Sequence, residues 1–126
     1  MPLYVTEAEV GELFAPADAI EAVEGSFRRL AVGDVENVPR QRSRFEDGSL
    51  AVMWAVDNGL GLAGLKTYAA GHEAVTFVVV LFETESQRLV AVIEADKMGQ
   101  LRTGAASGVA ARHLAREGAT SLGVIG

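Results

Sequence analysis

The sequence predicts an α+β protein: N-terminal helices with an antiparallel sheet, followed by a helix and a first strand that open a second, α/β unit. Three observations carry this reading. Apolar residues recur at helical spacing near the N-terminus. They then alternate or run continuously through short segments punctuated by turn residues. Finally, a helix of very small residues leads into an apolar stretch ending on glycine. The expected division is a first domain over 1–101 and the start of a second over 102–126.

"LYV" reads as a short strand, and a helix starts near Thr6, whose hydroxyl suits an N-cap. A second helix begins near Pro16, because proline lacks only an N–H that the first turn leaves unused. Ile20, Val23, Phe27 and Leu30 recur at helical spacing and are expected to form its buried face, and Gly33-Asp34 ends it.

The period then becomes strand-like. "VENVPRQRSRFED" alternates, and Asp47-Gly48 marks a turn. "SLAVMWAVD" is a strand, with a turn at Asn58-Gly59, and "LGLAGLKTYAA" is the next. "AVTFVVVLFET" is continuously apolar and β-branched, as expected of a central strand buried on both faces. "RLVAVIEAD" follows a turn at 85–87. Sequential strands with short turns imply an antiparallel meander. A helix is expected over 103–116, with Thr103 as N-cap and Gly118 as its stop, and then "TSLGVIG" as a short buried strand. A helix feeding an apolar strand that runs into glycine is how a βαβ nucleotide-binding unit begins, so the second domain is expected to be cut off at its first strand.

Composition narrows the function. Hydrophobic residues make up 49% and charged residues 22% of the 126 residues, which favours a globular core. The net charge of −6 argues against a nucleic-acid or anionic-membrane surface, while leaving room for a local basic pocket. With no cysteine and only His72 and His113, neither a disulfide framework nor a metal site is expected. The N-terminus has no basic segment before an apolar run, and the longest apolar run, 75–82, is too short to span a bilayer. A cytoplasmic protein is therefore expected.

Four features could carry chemistry. Arg40, Arg42 and Arg44 fall at every second position, so on a regular strand they share a face. They form either a solvated sheet face or a site for a carboxylate or phosphate, which arginine grips with two parallel hydrogen bonds. Lys66 is a lone lysine in an apolar strand: either it points outward from an edge strand, or it is buried with a lowered pKa and a functional role. Arg102-Thr103 precedes a helix of small residues, where exposed N–H groups favour an anion. Met53-Trp54 suits a core as well as a site. Arg40, Lys66 and Arg102 are expected to converge on one pocket.

In order and spacing, "VPRQR", "LAVMWA", "GLKTY", "VLFE", "LVAVIEAD" and "LRTGAASGVAARHLAR" followed by "LGVIG" resemble the ornithine cyclodeaminase/μ-crystallin family. The resemblance implies a two-domain protein using NAD or NADP. Its antiparallel sheet would bind substrate and form a homodimer, and a Rossmann domain opened by a "GxGxxA/Q" loop would follow. Gly126 would be the first glycine of that loop, with most of the cofactor site outside this chain. The resemblance also implies roles for individual residues. Arg40 and Arg102 would hold the substrate carboxylate, Met53 would line the site, and Lys66 would be catalytic beside the imine or carbonyl. Thr103 would help hold cofactor phosphate at a helix N-terminus. Ornithine-acting members tend to carry a glutamate where this chain has Val52, which argues against a substrate with a distal ammonium.

The function these features favour is hydride transfer between nicotinamide and the α-carbon of an amino acid, imino acid or cyclic imine. The alternatives are a non-catalytic small-ligand-binding relative and an inactive fragment.

Overall fold

The computed structural model describes residues 1–125. Strand β1 (Leu3–Val5) leads into helices α1 (Glu7–Leu13) and α2 (Pro16–Ala31). Five strands follow: β2 (Val35–Phe45), β3 (Gly48–Asp57), β4 (Leu62–Gly71), β5 (Val75–Glu83) and β6 (Leu89–Glu94). Helix α3 (Asp96–Leu114) closes the order. Among the described residues, no helix is long and apolar enough to cross a membrane.

Local chemistry sets the early boundaries. Thr6 caps α1 in a capping box with Glu9, whose carboxylate accepts the Thr6 backbone N–H at 2.8 Å. Pro16 opens α2, and Asp18 accepts the N–H of Ala15 at 3.1 Å. Gly33 takes a φ of +87°, a conformation glycine adopts without a Cβ penalty, and the chain turns there into β2.

The six strands lie in the order β1-β6-β5-β4-β3-β2. The expected antiparallel meander accounts for β2 to β6. The short β1 instead pairs in parallel with β6, Tyr4 opposite Val92. Because β1 and β2 sit at opposite edges, the intervening helices must carry the chain across the sheet. Five strand spacings of about 4.8 Å make roughly 24 Å, and the 16 residues of α2 at about 1.5 Å each span the same distance.

Register assigns the faces. Ala51, Tyr68 and Phe77 are aligned across β3, β4 and β5, as are Met53, Lys66 and Val79, so these residues share one face. Helix α3 approaches that face, with Gly99 against Lys66. The second face carries Leu50, Trp54 and Phe82, which are 45%, 43% and 37% exposed.

Several expectations change. Strand β5 is interior but only half-buried along its centre, because the second face is uncovered. On α2, Phe27 and Leu30 are largely exposed. The buried positions are Ala19 and Glu24, because α3 packs on that side and brings Gly108 against Ile20. Helix α3 begins at Asp96 rather than Thr103 and ends at Leu114, short of Gly118. Residues 120–125, expected to be a buried strand, have no regular structure, and Leu122, Val124 and Ile125 are exposed. A strand needs a neighbour for its backbone hydrogen bonds, and none of the six strands lies beside this segment.

Glu24 joins the two long helices. Its carboxylate accepts from Arg28 at 2.9 Å on its own helix, and from Arg112 and His113 on α3. Hydrogen bonds from His113 and Arg28, with added attraction to Arg112, hold its pKa down to about 2. A depressed carboxylate stabilises the fold above its ordinary value near 4.5 and loses that contribution as pH falls toward about 2. Glu24→Gln should therefore lower Tm at neutral pH. The gap between wild-type and variant Tm should close as pH falls from about 5 to about 2. A gap that stays constant over that range would show that Glu24 acts by packing alone.

Candidate functional site

The cations singled out in the sequence meet at one cavity of about 430 Å³. Arg40 reaches it from β2, Lys66 from β4 and Arg102 from α3, and Met53, Tyr68 and Phe77 border it from the sheet. One carboxylate, Asp96, lines the cavity beside Gln100, whose amide donates to it at 3.1 Å. Arg40, Lys66 and Arg102 form no ion pair among the described residues.

Arg40 arrives through a break in the ladder. The β2–β3 pairing shifts between Val38 and Gln41, so Pro39 and Arg40 together span the place opposite Met53. Proline has no N–H to give to a ladder, which is why a bulge forms readily there. All three arginines nonetheless lie on the sheet face of Met53 and Lys66, as their alternation predicts. Arg42 and Arg44, in regular register, line a neighbouring cavity, and Arg40, in the bulge, lines the first.

Aromatic rings lie against two of the positive charges. The Lys66 ammonium lies 4.5 Å from the centroid of Phe77, and the Arg40 guanidinium 5.6 Å from that of Tyr68. The two rings pack at 4.9 Å with planes tilted by 44°. Such cation–ring contacts stabilise each charge by about 0.5–2 kcal/mol without neutralising it. Lys66 is half-buried on an interior strand rather than outward-facing on an edge. Burial and then the charge of Arg102 push its pKa below the usual lysine range, with Arg40 adding to the effect. A Cβ on Gly99 would stand 3.3 Å from the Lys66 nitrogen, so the missing side chain lets α3 come this close.

Two expected positions change with the extent of α3. Arg102 and Thr103 lie in its second turn, not at its N-terminus. The Thr103 hydroxyl donates to the carbonyl of Gly99 at 2.7 Å, within the helix, so it caps no helix start and presents no N-terminal phosphate site. Gly126 lies outside the described residues. Among the described residues no strand–glycine-turn–helix unit occurs. Val52 pairs with Thr67 on the second sheet face, so a carboxylate there would point away from the cavity.

Reading the residues alone missed Tyr68, Phe77, Asp96 and Gln100. Tyr68 was within reach, since it follows Lys66 by two positions and shares its face. Phe77 required the β4–β5 register, and the two polar residues required the true start of α3.

A family model described as the ornithine cyclodeaminase/mu-crystallin family matches residues 2–126. The chain is 36% identical to an alanine dehydrogenase from Archaeoglobus fulgidus over 98% of its own length and 40% of that protein. A structure of the iminosuccinate reductase of Paracoccus denitrificans in complex with NAD+ superposes with a TM-score of 0.89 at 28% identity, covering 94% of this chain and 39% of that one. An archaeal alanine dehydrogenase dimer with bound NAD gives 0.85 at 35% identity, covering 93% and 38%. The chain thus spans about two fifths of the length of these relatives.

The proximity of Arg102 to Lys66 has a measurable consequence. Arg102→Ala removes a repelling charge, so the Lys66 titration midpoint should move up toward its ordinary value of 10.5. Side-chain NMR of the lysine Cε and Nζ resonances reads this directly. An unchanged midpoint would show that Arg102 does not contribute to the charge state of Lys66.

Proposed function

The chain belongs to the ornithine cyclodeaminase/mu-crystallin family, and from that membership we propose that its cavity binds the carboxylate of a small amino, imino or keto acid. One observation carries the reading: three cations from three separate elements face a shared space with a single carboxylate in it. In a chain of net charge −6, countercharges were available. Leaving three like charges together without them costs free energy that an anionic ligand offsets.

On this reading Arg40 and Arg102 fix the carboxylate, each offering a planar pair of donors. Met53 and the two aromatic rings pack the carbon skeleton. Lys66 stands beside the carbonyl or imine, where a lowered pKa suits it to stabilise charge or exchange a proton. The whole protein would act by hydride transfer with NAD or NADP, as the NAD-bound relatives suggest. This chain contributes the substrate side, with residues 1–101 as the substrate domain and 102–126 opening the cofactor domain. Cytoplasmic location is part of the same proposal.

A homodimer through the second sheet face completes it. The chain exposes 9172 Å², whereas a compact monomer of 13.3 kDa exposes about 6,500 Å². Leu50, Trp54 and Phe82 lie exposed on the second face, and exposed apolar surface on a sheet supports association. The archaeal alanine dehydrogenase described above is a dimer.

Two experiments test these statements. Arg102→Lys keeps the charge but loses the planar fork, so pyruvate binding by calorimetry should weaken about tenfold. Unchanged affinity would remove Arg102 from the carboxylate site. In sedimentation at micromolar concentration, the wild-type chain should run as a dimer and Trp54→Lys as a folded monomer. A wild-type monomer would refute association through the sheet.

A further inference from the structure

We propose that the neighbouring cavity, bordered by Arg42, Arg44, Ser49 and His72, is a subsite for a second carboxylate on the same ligand. The substrate class becomes the 2-amino, 2-imino or 2-keto diacids of four or five carbons. The proposal rests on the reading of the first cavity as a carboxylate site.

Four observations carry it. First, this cavity, of about 470 Å³, adjoins the first: Ala70 borders both. Tyr68 borders the first cavity, and its hydroxyl accepts from Arg42 of the second at 3.3 Å. Second, Arg42 and Arg44 hold regular register opposite Ala51 and Ser49, which puts them on the same sheet face as Lys66. Third, neither arginine forms an ion pair among the described residues, although Glu46 and Asp47 border the same cavity. Apart from the Arg42 N–H given to Tyr68, their donors are thus available to an outside acceptor. Fourth, Arg40 and Arg42 stand two strand residues apart, about 7 Å along the backbone. A short diacid anchored at Arg40 and Lys66 would carry its far carboxylate past Tyr68 to the Arg42 guanidinium. Its methylenes would pass over Tyr68 and Ala70.

This arrangement also gives a function to the arginine triplet. Spaced along one sheet face, the triplet presents one guanidinium to the α-carboxylate end and two to the distal end. Tyr68 lies between, under Arg40 by its ring and against Arg42 by its hydroxyl.

The test is titration of the chain with 2-oxoglutarate and 2-oxobutyrate, by calorimetry and by NMR of the arginine Nε resonances. 2-Oxoglutarate should bind about tenfold or more tightly than 2-oxobutyrate, the gain of hydrogen bonds to a charged group. It alone should shift the Nε resonances of Arg42 and Arg44. The double variant Arg42→Gln/Arg44→Gln should lose that preference while keeping its affinity for 2-oxobutyrate, which also shows that it is folded. Equal affinities in the wild-type chain, or a preference that survives in the double variant, would overturn the diacid subsite alone. Failure of 2-oxobutyrate to bind the wild-type chain would overturn the first-cavity reading and the subsite with it.

Discussion

The Glu7 carboxylate accepts the backbone N–H groups of Asp96 and Lys97, at the start of α3. Much of the site depends on that contact. The residue ahead of α3 is Ala95, which has no side chain able to cap the helix. A carboxylate at this place satisfies orphan donors and meets the positive end of the helix dipole. The arrangement is reciprocal: Glu94, at the end of β6, accepts the N–H of Glu7 at 2.8 Å and the hydroxyl of Tyr4 at 2.9 Å. Two carboxylates thus tie the N-terminal segment to the β6–α3 junction. That junction sets where Gly99 meets Lys66 and where Arg102 enters the cavity.

The electrostatics of the cavity follow from what the helix brings. The sheet alone offers Arg40 and Lys66, each against an aromatic ring. Bringing Arg102 alongside raises the cost of keeping Lys66 protonated, on top of its partial burial. Attraction to Tyr68 and Asp96 offsets this only in part. Rings give orientation and partial stabilisation while leaving the charges unneutralised. That is how a protein can hold cations ready for an anion without filling the site itself.

Packing against the helices is economical and lopsided. The buried apolar residues are small: alanines 19, 51, 91, 95 and 105, with Val10 and Val109. Small residues allow α2 and α3 to approach closely, and the Glu24 cluster with Arg28, Arg112 and His113 fixes one helix on the other. The larger apolar side chains of the sheet lie partly on the face that no helix covers.

The sequence by itself determined the parts that depend on near neighbours. The start of α1 at Thr6 and of α2 at Pro16, the meander of β2 to β6, and the identities of Arg40, Lys66 and Arg102 could all be read there. Capping, periodicity and turn chemistry act over a few residues. Tertiary structure decided what depends on distant groups. Helix α3 starts seven residues earlier than its threonine suggests, because its cap is Glu7, 89 residues away from Asp96 in the chain. Thr103, locally a good N-cap, became an interior residue bonded to Gly99. Phe77 came beside Lys66 only through the β4–β5 register. The side of the sheet faced by Val52 likewise followed from strand pairing. A helix end is satisfied by whichever carboxylate the fold brings to it, and a strand residue faces whichever way its register turns it. Neither is written in the few residues around it.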